Sequence, residues 1–130
     1  MNKKIIISIA VILISCIFVV ANRGTEMNQQ YRRISASEAR EMMQRYPNAI
    51  ILDVRTVGEF SSSRIPGAIS LPDYAIQDRA EKILPDKNAL ILVYCRSGAR
   101  SRESTYELIT MGYTNVFDFG GINSWPYERE

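Results

Sequence analysis

The chain has 130 residues, 46% hydrophobic and 23% charged, which suits one small globular domain with no second core. It contains no histidine, which excludes Cys–His and Ser–His catalytic pairs and histidine-based metal sites, and its two cysteines, Cys16 and Cys95, are too few for a zinc site or a disulfide framework. The formal charge of +2 comes from Lys3 and Lys4; beyond Ala21 basic and acidic side chains balance, so no nucleic-acid partner, metal or cofactor is expected.

Lys3 and Lys4 precede an apolar stretch from Ile5 to Ala21, broken only by Ser8, Ser15 and Cys16. A basic start followed by an apolar run is the pattern of an export signal. Three fates are open. Leu13-Ile14-Ser15-Cys16 resembles a bacterial lipobox, with lipidation at Cys16, although Ile17 to Val20 stay apolar where lipoproteins turn polar. Val19-Val20-Ala21 would suit signal-peptidase cleavage. The stretch could also remain as a membrane anchor, at the short end of the ~17–25 residues a spanning helix needs. A buried N-terminal helix fits less well, because the segment has no polar face. Residues 1–21 therefore read as signal peptide or anchor, 22–30 as a polar linker and 31–130 as the domain. The expected location is exported or membrane-anchored, on the extracytoplasmic side of a bacterial cell membrane.

Ser35-Ala36-Ser37-Glu38 forms a capping box, and Ala39, Met42, Met43 and Tyr46 follow at helical spacing until Pro47-Asn48. Ala49 to Val54 is a continuous apolar run ending in Asp53-Val54, as expected of a strand buried on both faces. Ile65-Pro66-Gly67-Ala68-Ile69 predicts a turn into another short strand, closed by Pro72. Tyr74 to Leu84 reads as a helix, and Ala89 to Tyr94 carries the strongest strand signal. Ser101 to Met111 reads as a helix ended by Gly112. Val116 to Phe119 gives a last strand before Gly120-Gly121. Alternating strands and helices predict an α/β domain with a central, mostly parallel sheet flanked by helices. Ligands in such sheets bind beyond the carboxyl ends of the strands, here Asp53-Val54-Arg55 and Cys95-Arg96-Ser97-Gly98.

Cys95 directly follows the strongest strand. Small and basic residues come next, and then a helix start, where unpaired amides attract anions. Gly98 lets the loop curl so that amides converge, and Arg96 and Arg100 add positive charge. A lone cysteine at a strand end is usually structural. An adjacent arginine, a glycine in the curl, a second arginine and a helix start together point instead to a nucleophile that favours the thiolate.

These motifs resemble a single-domain rhodanese from roughly Tyr31 onward. The matching segments are Leu52-Asp53-Val54-Arg55 with Glu59-Phe60, Ile65-Pro66-Gly67-Ala68-Ile69 with Leu71-Pro72, Val93 to Ser101, and Gly120-Gly121-Ile122-Asn123-Ser124-Trp125. The resemblance implies a sulfurtransferase in which Cys95 takes the outer sulfur of a donor such as thiosulfate as a persulfide and passes it to a thiol or cyanide. It also implies that Arg96, Ser97, Gly98 and Ala99 surround the sulfur, and that Arg100 ties the loop back or meets the donor's anion. Related phosphatases of the same fold have one more residue between Cys and Arg. The shorter loop here is the length associated with sulfur substrates, so a Cys-based phosphatase or arsenate reductase is the weaker alternative. A non-catalytic sulfur-binding or sensing module is another.

Asp53 and Arg55 read first as a structural ion pair beside the loop, with an Arg55–Glu59 pair expected at i,i+4. Trp125 reads as packing, and Tyr94 and Tyr106 as core or rim. Arg64 stands where the family often has histidine and Ala99 where many members have a polar residue, which bears on acceptor preference. The expected partners are a small sulfur-containing anion as donor, a thiol or protein sulfur acceptor, and the membrane through the N-terminal segment. The domain is expected to be a monomer.

Overall fold

A computed structural model describes residues 2, 3 and 30–130. The apolar stretch and Cys16 lie outside the described residues. Among the described residues, no helix is long and apolar enough to cross a membrane.

Four strands, β1 (Ile50–Asp53), β2 (Ile69–Ser70), β3 (Ile91–Cys95) and β4 (Val116–Gly121), form one sheet in the order β2-β1-β3-β4. Every pairing is parallel, as the alternating pattern predicted. The described helices are α1 (Ala36–Arg45), α2 (Val57–Ser62), α3 (Ile76–Ile83) and α4 (Ala99–Thr110). The β3 strand is buried at every position. Ile91, Val93 and Cys95 join a core with Ile76, Ala80 and Leu108 of α3 and α4, while Leu92 and Tyr94 join a second core with Ala39 of α1, Phe119 and Trp125. Each large side chain so buried contributes about 1.5–3 kcal/mol, which explains why β3 reads as an unbroken apolar run.

The capping box forms as expected: the Glu38 amide donates to Ser35 Oγ at 3.1 Å and the Ser35 amide to Glu38 Oε2 at 2.7 Å. Gly112 has φ of 95°, the left-handed conformation expected just past α4. Several boundaries differ from the sequence reading: β3 starts at Ile91 rather than Ala89 and takes in Cys95, and β4 runs on to Gly121. The segment expected as one helix from Tyr74 begins as a 3-10 turn over Asp73–Ala75 before α3. The α4 helix begins at Ala99, two residues earlier than expected, because Gly98 rather than a side-chain cap turns the chain into it.

Candidate active site

Cys95 closes β3 with 1% of its surface exposed. The chain then bends through Arg96, Ser97 and Gly98 and enters α4 at Ala99. Gly98 sits at φ 111° and ψ −12°, a conformation that a side chain would strain. That conformation aims the Gly98 amide back at the cysteine, where it donates to Sγ at 3.0 Å. No side chain caps α4, so its start presents amides that no helical carbonyl uses. Arg96, Ser97 and Ala99 are exposed, and Gly98 and Arg100 partly so. The six residues from Cys95 to Arg100 thus make a short curl with the sulfur on its inner side.

The far end of the curl is tied down. Arg100 donates from Nη1 and Nη2 to Glu59 Oε1 and Oε2 at 2.8 and 3.0 Å. Arg100 is thereby tied to Glu59 of α2. The Arg100 hydrogen bonds hold the Glu59 carboxyl down at about 2, helped by the Thr56 cap, and the same pairing raises the Arg100 guanidinium. Glu59 therefore does not pair with Arg55, contrary to the i,i+4 expectation. Arg55 lies before the cap of α2 and turns back onto Asp53.

That second pair is sealed. Arg55 donates from Nη2 to Asp53 Oδ2 at 2.6 Å and to the Ser63 carbonyl at 2.6 Å, while Tyr94 Oη donates to the same Asp53 oxygen at 2.7 Å. Asp53 is fully buried and Arg55 is 5% exposed. Burial and the Asp53 carboxylate push the Tyr94 phenol upward, so it stays protonated as a donor. Tyr94 Oη also accepts the Ile65 amide at 3.2 Å, which joins the Ile65-Pro66-Gly67 turn to β3. Tyr94 is therefore core, whereas Tyr106 is exposed and stacks on Tyr31 at 4.8 Å.

The middle of the curl is supported from β4. The β3–β4 register shifts between Val93 and Cys95, which sets Cys95 opposite Gly121. A side chain at Gly121 would collide with the Arg96 carbonyl and come within 2.6 Å of Ser97 Cα. The Asn123 amide donates to the Arg96 carbonyl at 3.1 Å. Gly120-Gly121 is thus a surface on which the curl rests. Trp125 is buried between Phe119 and Tyr127, as its packing role requires. Arg64 pairs with Glu130 at 3.1 Å and lies over the Phe60 ring.

Sequence reasoning missed one further group. Asp118 is fully buried; its Oδ1 accepts the Gly120 amide at 2.8 Å, and its Oδ2 accepts Tyr31 Oη at 2.6 Å and Arg33 Nη1 at 2.9 Å. The Arg33 guanidinium covers Gly98 and Gly120 so closely that a Cβ at Gly120 would strike it. Arg33 and Asp118 are 85 residues apart, so no local spacing signals the pair.

Residues 35–127 match the family described as Rhodanese-like domain. The chain is 37% identical over 79 residues to the sulfurtransferase of Allochromatium vinosum, covering 60% of this chain and 72% of that one. It is 35% identical over 71 residues to the thiosulfate sulfurtransferase PspE of Escherichia coli, covering 55% and 68%. Among solved structures, an E. coli rhodanese with anions superposes with a TM-score of 0.59 at 30% identity, covering 63% of this chain and 96% of that chain. A rhodanese-related protein from Thermoplasma volcanium gives 0.67 at 29% identity, covering 77% and 98%. The fold, the motifs and these likenesses agree: the chain belongs to the rhodanese-like domain family, among rhodanese-type sulfurtransferases.

Proposed function

We propose that the protein moves a sulfane sulfur from a donor such as thiosulfate to a thiol or cyanide acceptor through a persulfide on Cys95. The observation that carries this reading is the Cys95 sulfur on the inner side of a six-residue curl, receiving the Gly98 amide at 3.0 Å. In the first half-reaction the Cys95 thiolate attacks the outer sulfur of thiosulfate. The Cys–S bond forms, the S–S bond of the donor breaks, and sulfite leaves with the electron pair. In the second half-reaction an acceptor thiolate attacks the outer sulfur of the persulfide, and the Cys95 thiolate leaves. Splitting the transfer in this way replaces one difficult step with two easier ones. Both steps move negative charge among sulfur atoms inside a cradle of amides, and neither needs a general base, which fits a chain without histidine. Relatives named thiosulfate sulfurtransferase support the choice of donor.

The test is mass spectrometry of the purified full-length chain in detergent after thiosulfate treatment. One added sulfur is expected, released by cyanide as thiocyanate and absent in Cys95→Ser. Unmodified Cys95 under excess donor would overturn the reading. For location, the basic start and the apolar stretch Ile5 to Ala21 support action outside the cytoplasmic membrane. Fatty-acid labelling of wild type against Cys16→Ala separates a lipoprotein from a cleaved or anchored protein.

A further inference from the structure

A cavity of about 270 Å³ borders the curl at Arg96, the residue next to the nucleophile. Its lining includes Arg55, Glu59, Ser63, Arg96, Asn123 and Arg129. The charges there do not cancel. Arg55 is neutralised by Asp53 and Glu59 by Arg100, whereas Arg96 and Arg129 pair with no carboxylate among the described residues. Arg129 is nevertheless held in position: its Nη2 donates to the carbonyls of Ile122 at 2.5 Å and Trp125 at 3.1 Å. Its remaining N–H groups have no partner among the described residues. A guanidinium fastened by one nitrogen and left open at the others is prepared for a carboxylate, since less rotamer freedom remains to be lost on binding.

We infer that this cavity is an anion subsite for the sulfur acceptor, and that the acceptor is a small thiol bearing carboxylates. At about 270 Å³ the cavity lies just below the usual size range of small-molecule pockets, which suits a small acceptor. Two uncompensated guanidiniums match two carboxylates. The exposed Asn123 side chain and the serines at the end of α2 can hydrogen-bond the rest of such a molecule. Arg129 is thereby a specificity-determining residue supplied by the C-terminal segment, outside the catalytic curl. The acceptor assignment rests on the sulfur-transfer reading, whereas the anion subsite does not.

The experiment has two arms, both on the full-length chain in detergent. In the kinetic arm, KM is measured for mercaptosuccinate, for uncharged 2-mercaptoethanol and for thiosulfate. Wild type is expected to prefer mercaptosuccinate, and Arg129→Gln to reduce that preference about tenfold, the loss of one charge-assisted hydrogen bond. Arg129→Lys keeps the charge and retains part of the preference. An unchanged KM ratio in Arg129→Gln, or a thiosulfate KM that rises in step with that of mercaptosuccinate, overturns the acceptor assignment. In the second arm succinate, which carries no sulfur, is titrated while the fluorescence of the single tryptophan, Trp125, is followed. A saturable change that is lost in Arg129→Gln and weakened by salt supports the subsite, even if Cys95 forms no persulfide. No saturable change in wild type overturns the subsite itself.

Discussion

Two flanks of the curl from Cys95 to Arg100 use the same device with different materials. On each flank a fully buried strand aspartate, Asp53 at the end of β1 and Asp118 within β4, takes the amide two residues ahead on Oδ1, and an arginine and a tyrosine hydroxyl on Oδ2. At Asp53 the arginine is two residues away, the tyrosine lies on the neighbouring strand, and the arginine is 5% exposed. At Asp118 both partners come from the segment before α1, and the Arg33 side chain is 50% exposed. The first network belongs to the core and cannot open without unfolding it. The second is a clasp whose one half reaches water.

The comparison can be broken most directly at the aspartates. Asp53→Asn leaves a buried guanidinium without its charge partner and should cost about 3–5 kcal/mol in urea denaturation. Asp118→Asn should cost only about 1–2 kcal/mol, because Arg33 can return to solvent. Equal losses would erase the distinction between core network and clasp.

Glu59 sharpens the picture from the curl's far end. Glu59→Gln should lower stability by about 1–2 kcal/mol at neutral pH, since the bidentate pair with Arg100 loses its charge. The folded protein holds this carboxyl at about 2, below its ordinary value of 4.5. Its contribution is therefore complete above about pH 4.5 and fades as pH falls towards 2. The stability difference between wild type and Glu59→Gln should shrink over that window; a constant difference from pH 6 to pH 2.5 would show that the ionised carboxylate is not the source of the stabilisation.

The smallest effect is expected at Arg33. Arg33→Ala removes the cover over Gly98 and Gly120 and should slow persulfide formation by about three- to tenfold. The thiosulfate half-reaction, followed by stopped flow, tests this, and Arg33→Lys should recover part of the rate if charge near the curl matters. A global structural loss would instead appear in the urea midpoint with no rescue by lysine.

The sheet, its parallel sense and the curl were legible because the signals are local. An apolar run over Ile91 to Tyr94 needs burial on both faces, Ser35 and Glu38 lie within one turn, and Cys95 to Arg100 is continuous in the chain. The partners that hold the curl were not legible. Arg100 meets Glu59 from 41 residues away, and Arg33 meets Asp118 from 85. The expected Arg55–Glu59 pair assumed that helix geometry extends to Arg55, whereas Thr56 caps α2 and leaves Arg55 outside it. The Gly120-Gly121 motif was visible as letters, but its reason, a carbonyl and a Cα pressed against Gly121, needed the register shift of β4.

The strip from Arg32 to Ile34 bears on where this protein can be cut. Arg33 bridges β4 in parallel at Asp118, with the Asp118 amide donating to the Arg32 carbonyl and the Ile34 amide to the Asp118 carbonyl, each at 2.9 Å. The family match begins at residue 35, just past this strip. A fragment trimmed to that boundary would lose the clasp on the curl and bare the outer edge of β4, a template for strand pairing between molecules. A fragment that starts before Tyr31 keeps both, so self-association and weak activity in a shorter one would be a product of the scissors rather than of the enzyme.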